Sequence, residues 1–317
     1  MYSLHFYGQM LADAPRMDAY VEALRHAVTR ESVVLDLGSG PGVLALLACK
    51  LGARRVYAVE PDNAINIARE AAVANGFAER IEFFQNLSTE ITLPEPATVI
   101  VSDLRGVLPW FQQHLPSIID ARRRLLAPDG VLIPRRDALW AAVVEAADRY
   151  EEIVAPWRKF DLDLSAGVSR ITNTWRKTRI KPEELLTEPV RWTTLDYYQV
   201  ESPDVSAEIS WRTTRAGAAH GIAVWFDTDL TDGVGFSNRP GLTELIYGNG
   251  FFPFSRPVEV YEGETINLRL RADLVRNDYV WSWATDFTDQ KIGFEQSTFL
   301  GVALSPEQLR QKYAQHS

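Results

Sequence analysis

The sequence predicts an α/β half of the doubly wound, Rossmann-like type followed by a β half built as a barrel or sandwich. Three observations predict it. Upstream of Pro134, short β-branched runs alternate with helical patterns; downstream, the apolar period shortens to two; and a turn carrying Gly38, Gly40 and Gly42 follows the first strand-like run.

In chain order, "SVVLDLG", "RVYAVE", "RIEFFQN", "ATVIVSD" and "VLIP" read as strands, and "GVLALLACKLGA", "NAINIAREAAVANGF" and "LPSIIDARRRLLAPDG" between them read as helices. Strands joined by helices at this spacing require right-handed crossovers, and hence a parallel sheet covered on both faces. Beyond Pro134, "TINLRLR" points Ile266, Leu268 and Leu270 one way and Asn267, Arg269 and Arg271 the other; "YVWSWAT" and "HGIAVWF" read similarly. The stretch Ala155 to Leu186 is mixed, charged and dotted with aromatics, an excursion from the β half. The expected domains are residues 1–135 and 136–317, with the excursion at about 155–188.

With 317 residues, 46% of them apolar, the chain can fill two cores without disulfides or metals. No run reaches the length of a membrane span, and "MYSLHFYGQMLADAPR" lacks the basic-then-apolar order of a secretion signal, so no membrane association and a cytoplasmic location are expected. The single cysteine, Cys49, lies in an apolar helical stretch and reads as a buried thiol rather than a nucleophile. His5, His26, His114, His220 and His316 show no ligand spacing with one another or with Cys49, so no metal is expected. Thirty-three Lys and Arg against 42 Asp and Glu give a net charge of −9, the wrong sign for a phosphate backbone. A nucleic-acid partner is disfavoured.

The glycine turn carries the first chemistry. Glycines after a strand and before a helix let the backbone approach a ligand at the helix N-terminus. Val43 stands where a dinucleotide fold needs its third glycine, which shifts the expected cofactor from NAD to S-adenosylmethionine. Asp36 precedes the turn, and Glu60 ends the second strand, where a carboxylate can accept both ribose hydroxyls. Asn86, Leu87 and Ser88, after the third strand, fall where such a crevice holds the adenine.

These motifs resemble the protein arginine methyltransferases, over nearly the whole chain. "VVLDLGSGPGVLALLACKLGARRVYAVE" is similar to the family's cofactor motif, and "MLADAPR" matches its M-L-x-D-x-x-R helix, in which Arg16 would bind the cofactor's carboxylate. "LLAPDGVLIPRRDALW" resembles the passage from sheet to barrel, and "PWRKFDLDLS" the start of the arm that clasps a second subunit. The resemblance therefore implies a β-barrel substrate domain, a helical dimerisation arm and a homodimer.

The loop "SDLRGVLPWFQQHL" departs from the family. Where the family places two glutamates that hold a guanidinium, this chain has Asp103 and Gln112; Leu104, Arg105 and Val107 replace Trp, Met and Tyr. The family's T-H-W tripeptide aligns with Leu245, Ile246 and Tyr247, so Asp13 would lack its histidine partner. Asp103 and Gln112 are the candidate catalytic residues. His114 reads as a half-exposed structural residue at a helix start, Trp110 as packing, and Arg105 as facing either pocket or solvent. The activity expected is methyl transfer from S-adenosylmethionine, most like arginine N-methylation of a protein or peptide. One alternative is another nitrogen or oxygen acceptor on a small molecule or modified peptide, recognised through Gln112. The other is a cofactor-binding but catalytically weak partner subunit.

Overall fold

The computed structural model describes residues 3–302; His316 lies outside them. The first ten elements are α1 (Leu4–Ala12), α2 (Ala14–Ala27), β1 (Val33–Leu37), α3 (Val43–Lys50), β2 (Arg55–Val59), α4 (Ile65–Ala74), β3 (Ile81–Phe84), β4 (Ala97–Ser102), α5 (His114–Arg124) and β5 (Leu126–Ile133). They are followed by β6 (Arg136–Val144), α6 (Ala147–Val154), α7 (Ser165–Ile171), β7 (Arg176–Thr178), β8 (Val190–Asp196), β9 (Val205–Arg212), β10 (Gly217–Thr231), β11 (Val234–Ser237), β12 (Asn249–Val260), β13 (Thr265–Val275), β14 (Asp278–Phe287) and β15 (Ile292–Ser297). Contacts gather these into two compact units that do not follow chain order. Among the described residues, the first holds 3–140, 193–203 and 225–248, and the second 141–192, 204–224 and 249–302.

In the first unit five parallel strands run in the order β3-β2-β1-β4-β5. β1 is buried at every position, as its unbroken apolar run requires of a strand covered on both faces. Tyr20 and Leu24 of α2, Ala48 and Cys49 of α3 and Val56 of β2 share one core. Burial pushes the Cys49 thiol up to about 11, which makes it inert. α5 stops at Arg124, earlier than the sequence pattern suggested, and Leu126 to Gly130 open β5 instead. Pro128 lacks the N–H a continuing helix would need, and Asp129 takes a left-handed φ of 59°.

The strand order reverses between β1 and β4. Leu37 pairs with Val59 on one side and Ser102 on the other, so Gly38, Glu60 and Asp103 leave the sheet at one level. A ligand crevice forms at such a reversal.

The second unit is antiparallel. β13 lies between β9 and β14, β14 pairs with β15, and the first part of β10 pairs with β12, which pairs with β7. Ile266, Leu268 and Leu270 are buried, and Arg269 and Arg271 are exposed, as the period of two requires. "HGIAVWF" departs from the expected alternation: His220 to Phe226 is buried throughout, the pattern of a strand covered on both faces. Trp175, Phe252, Trp281 and Trp283 pack ring on ring within this unit. Ala155 to Leu186 forms short elements that leave Trp157, Phe160 and Leu162 exposed. Among the described residues no helix is long and apolar enough to cross a membrane.

Candidate active site

The glycine turn is built by its backbone. Gly38, Gly40 and Gly42 have φ of 73°, 50° and 77°, angles at which a Cβ is strained. The N–H groups of Gly38 and Ser39 both donate to the Val59 carbonyl at 2.9 Å, which anchors the turn to β2. Glu60 accepts from Gly40 N at 2.9 Å through one oxygen and from Asp62 N at 2.9 Å through the other. Burial pushes its pKa up while these two N–H groups oppose the shift. Asp36 accepts from Ala45 N at 2.9 Å, capping the first turn of α3. Burial drives Asp36 up to about 7, with that N–H opposing and Glu60 reinforcing. After β3, Asn86 and Leu87 are exposed, whereas Ser88 is buried and its carbonyl accepts from Arg124 at 3.0 Å.

A cavity of about 60 Å³ adjoins the turn, lined among others by Tyr7, Arg16, Asp36, Ser39, Gly40 and Asp103. The Ser39 hydroxyl is buried there with no partner. A Cβ on Gly38 would meet the Leu104 side chain at 2.1 Å, and one on Gly40 the Tyr7 ring at 2.8 Å. The cavity is far below the roughly 300 Å³ of a small-molecule site, and what rests on Gly38 and Gly40 is side-chain ends rather than backbone. An unpartnered hydroxyl, a carboxylate beside an open backbone turn and a guanidinium form a donor and acceptor set that fits a nucleoside bearing an amino-acid tail.

The loop after β4 is built by charge. Asp103 is bound by Arg16 through Nε at 2.8 Å and Nη2 at 2.7 Å, both side chains nearly buried. The Tyr247 hydroxyl lies 2.7 Å from each Asp103 oxygen and also accepts from Arg16 Nε at 3.1 Å. Arg16 Nη1 donates to the Met10 carbonyl at 2.9 Å, so all three nitrogens are engaged. Burial alone would lower the Arg16 pKa, and Asp103, Tyr247 and Tyr20 together more than reverse this. Arg105 turns inward and is fully buried: Nη1 donates to Asp137 at 2.7 Å and Thr228 at 2.8 Å, and Nε approaches Asp103 to 3.6 Å. Its guanidinium lies 5.3 Å and 5.7 Å from the ring centres of Phe226 and Phe236. Asp137 also accepts from the Tyr197 hydroxyl at 2.6 Å, which in turn meets His114 Nε2 at 3.1 Å.

His114 corrects the expectation of half-exposure. It is 2% exposed, and burial, with Arg105 nearby, lowers its pKa to about 3. Its neutral ring can serve Tyr197 but is no base for a solvent-facing acceptor. Trp110 is buried, as packing. Gln112 is exposed, has φ 44°, and is not among the residues lining the cavity. The replacement of T-H-W is accommodated by the backbone: Ile246 N donates to Asp13 at 2.8 Å where a histidine side chain was expected. Sequence reasoning missed Tyr247 as a partner of Asp103 and Asp137 as the partner of Arg105. The one signal for the first was its own misfit to the tripeptide; the second carried none.

Two family models match the chain: "arginine methyltransferase oligomerization subdomain" over residues 135–288, and "ribosomal protein L11 methyltransferase (PrmA)" over residues 18–141. Protein arginine N-methyltransferase PRMT10 of Oryza sativa subsp. japonica is 31% identical, across 86% of this chain and 81% of its own. An arginine N(omega)-methyltransferase of Streptomyces achromogenes subsp. streptozoticus is 30% identical, across 82% and 74%. Among solved structures, the fold is shared with a Trypanosoma brucei PRMT1 enzyme-prozyme heterotetrameric complex with AdoHcy, at TM-score 0.84 and 23% identity, covering 94% of this chain and 98% of that one.

Proposed function

The chain belongs to the protein arginine methyltransferase family, and from that premise we propose that it transfers a methyl group from S-adenosylmethionine to a guanidino nitrogen of arginine. The observation that carries the reading is the register of β1, β2 and β4, which brings the glycine turn, Glu60 and Asp103 to one edge of the sheet.

When bound, S-adenosylmethionine supplies a methyl carbon made electrophilic by its sulfonium. Glu60 would hold the ribose end through lone pairs left after Gly40 and Asp62, and the Ser39 hydroxyl and the turn's backbone would complete the cradle. Asp36 keeps α3 in place behind it, Asn86, Leu87 and Ser88 would serve the adenine end, and Arg16 would serve the carboxylate by giving up part of its hold on Asp103. Asp103 binds the acceptor's guanidinium, draws its charge away from the attacking nitrogen, and is the carboxylate that takes the released proton. Gln112, on the same loop, adds an amide that accepts as well as donates. Residues 1–135 act as the cofactor domain and 136–317 as the substrate domain. The exposed Trp157, Phe160 and Leu162 of the 155–188 segment suit a homodimer contact, in a cytoplasmic enzyme.

One observation favours a second reading. Asp103 already has Arg16 at 2.7 Å and Arg105 at 3.6 Å, and a carboxylate so flanked suits a neutral nitrogen or oxygen acceptor.

Calorimetry with S-adenosylhomocysteine should give one site in the wild type and none in Gly40→Val; unimpaired binding by that variant would overturn the cofactor site. Radiolabelled transfer to an arginine-rich peptide, free arginine and a small-molecule extract, run side by side, should label an arginine. Labelling of a neutral acceptor alone would establish the second reading. Asp103→Asn should lower turnover by about two decades, and far more than it changes cofactor affinity.

A further inference from the structure

At position 247 this chain carries a phenol where the T-H-W tripeptide carries an indole. Here the Tyr247 ring is buried and fixed on two sides: it stacks on Phe236 with centroids 5.8 Å apart at 6°, and meets the Phe226 edge at 5.3 Å. That packing aims the phenol at one point. Its oxygen lies 2.7 Å from both oxygens of Asp103 and within 3.1 Å of Arg16 Nε. One group therefore donates to the acid and accepts from the cation that binds the same acid.

The three groups around Asp103 are not equivalent. Arg16 also lines the cavity beside the glycine turn, so a carboxylate arriving there competes with Asp103 for the same guanidinium. Arg105 is committed to Asp137 and Thr228 and comes no closer than 3.6 Å. Tyr247 is neutral and packed between phenyl rings; burial and Asp103 hold its proton on. Its hydrogen bond reaches Asp103 directly and does not pass through Arg16. The neighbouring Ile246 N–H fixes the same segment to Asp13 at 2.8 Å, so the hydroxyl is referenced to the start of α2 as well.

We propose that Tyr247 is a positioning residue: its hydroxyl holds the Asp103 carboxylate in its working orientation when the cofactor's carboxylate draws on Arg16 and the acceptor draws on Asp103. This rests on the reading of Asp103 as the acid at the acceptor. The single O–H, 2.7 Å from each oxygen, can donate to either one or be shared between them, so it restrains the direction of the carboxylate without supplying the charge of a second acid.

The test is a cycle of Tyr247→Phe, Asp103→Asn and the double variant, assayed by methyl transfer to an arginine-rich peptide and to free arginine, with S-adenosylhomocysteine affinity measured alongside. Tyr247→Phe should lower kcat by about 10- to 100-fold and raise KM and the S-adenosylhomocysteine Kd by no more than about twofold. The double variant should be no slower than Asp103→Asn alone. Multiplying losses, unchanged kcat in Tyr247→Phe, or a cofactor Kd that rises as far as kcat falls would each overturn the assignment. If Tyr247→Phe does not fold, 3-fluorotyrosine at 247 keeps the shape and acidifies the phenol. A severalfold change in kcat with unchanged cofactor Kd then supports the proposal, and an unchanged kcat overturns it. If the wild type binds S-adenosylhomocysteine but labels neither probe, the arginine reading fails, and the cycle is read on urea midpoints instead. Loss of stability from Tyr247→Phe that vanishes in the Asp103→Asn background supports Tyr247, and additive losses overturn it.

Discussion

The glycine turn and the loop after β4 leave the same edge of the same sheet, yet they are held by different physics. The turn is held by backbone N–H groups on carboxylates close in sequence: Asp36 with Ala45, Gly40 with Glu60, Asp62 with Glu60. The loop is held by side chains from distant segments: Arg16 and Asp103 are 87 residues apart, Tyr247 and Asp103 144, Arg105 and Thr228 123. A backbone cradle tolerates changes in its surroundings. A buried ion-pair network fails when one member is lost, because the partner charge is stranded in a medium that cannot solvate it.

Removing one charge on the loop side should therefore have the largest effect. Asp137→Ala strands the buried Arg105 guanidinium and should cost about 3–5 kcal/mol, read as a lower urea midpoint. A loss under about 1 kcal/mol would show that the network is not what holds the loop.

The two sides should also differ in the sign of their pH dependence. Asp36 is raised from near 4 to about 7 on folding. Between those values the native state holds the extra proton, so the Asp36 contribution is full at low pH and is lost as pH rises toward 7. His114 is lowered from about 6.5 to about 3. Between those values the unfolded state holds the extra proton, so that contribution is full above about 6.5 and is lost as pH falls toward 3. Each slope is about 1.4 kcal/mol per pH unit, and from about pH 4 to 6.5 they oppose. Asp36→Asn should leave stability falling on acidification through this window, and His114→Gln should leave it falling on alkalinisation. Denaturant titrations at four pH values would read both; parallel curves for the two variants would show that the two environments do not differ.

The smallest effect belongs to Gln112. Exposed at φ 44°, it should accept Gln112→Glu within about 0.5 kcal/mol, whereas any change in methyl transfer to an arginine-rich peptide measures how far an exposed loop residue reaches the acceptor.

The same contrast explains what could be read in advance. Strand, turn and helix from Val33 to Lys50 were legible because period, glycine positions and the acid before them are all local. The helical pattern of the sequence runs past Arg124, where α5 stops, and "HGIAVWF" reads as alternating because a strand's second face cannot be seen from its own residues. Asp103 was legible as the acid of the loop, but its partners were not. Nothing near Tyr247 or Asp137 in the sequence points across 144 or 32 residues to the groups they bind. His114 looked surface-like because its burial is imposed by Tyr197, 83 residues away.

Arg105, enclosed by two phenyl rings, a threonine and Asp137, is in effect a guanidinium ligand already bound and covalently tethered. A tether of this kind supplies its ligand at an effective concentration of millimolar order or above, independent of what the solution contains. A guanidinium arriving from solution therefore meets a niche that the chain's own side chain already fills.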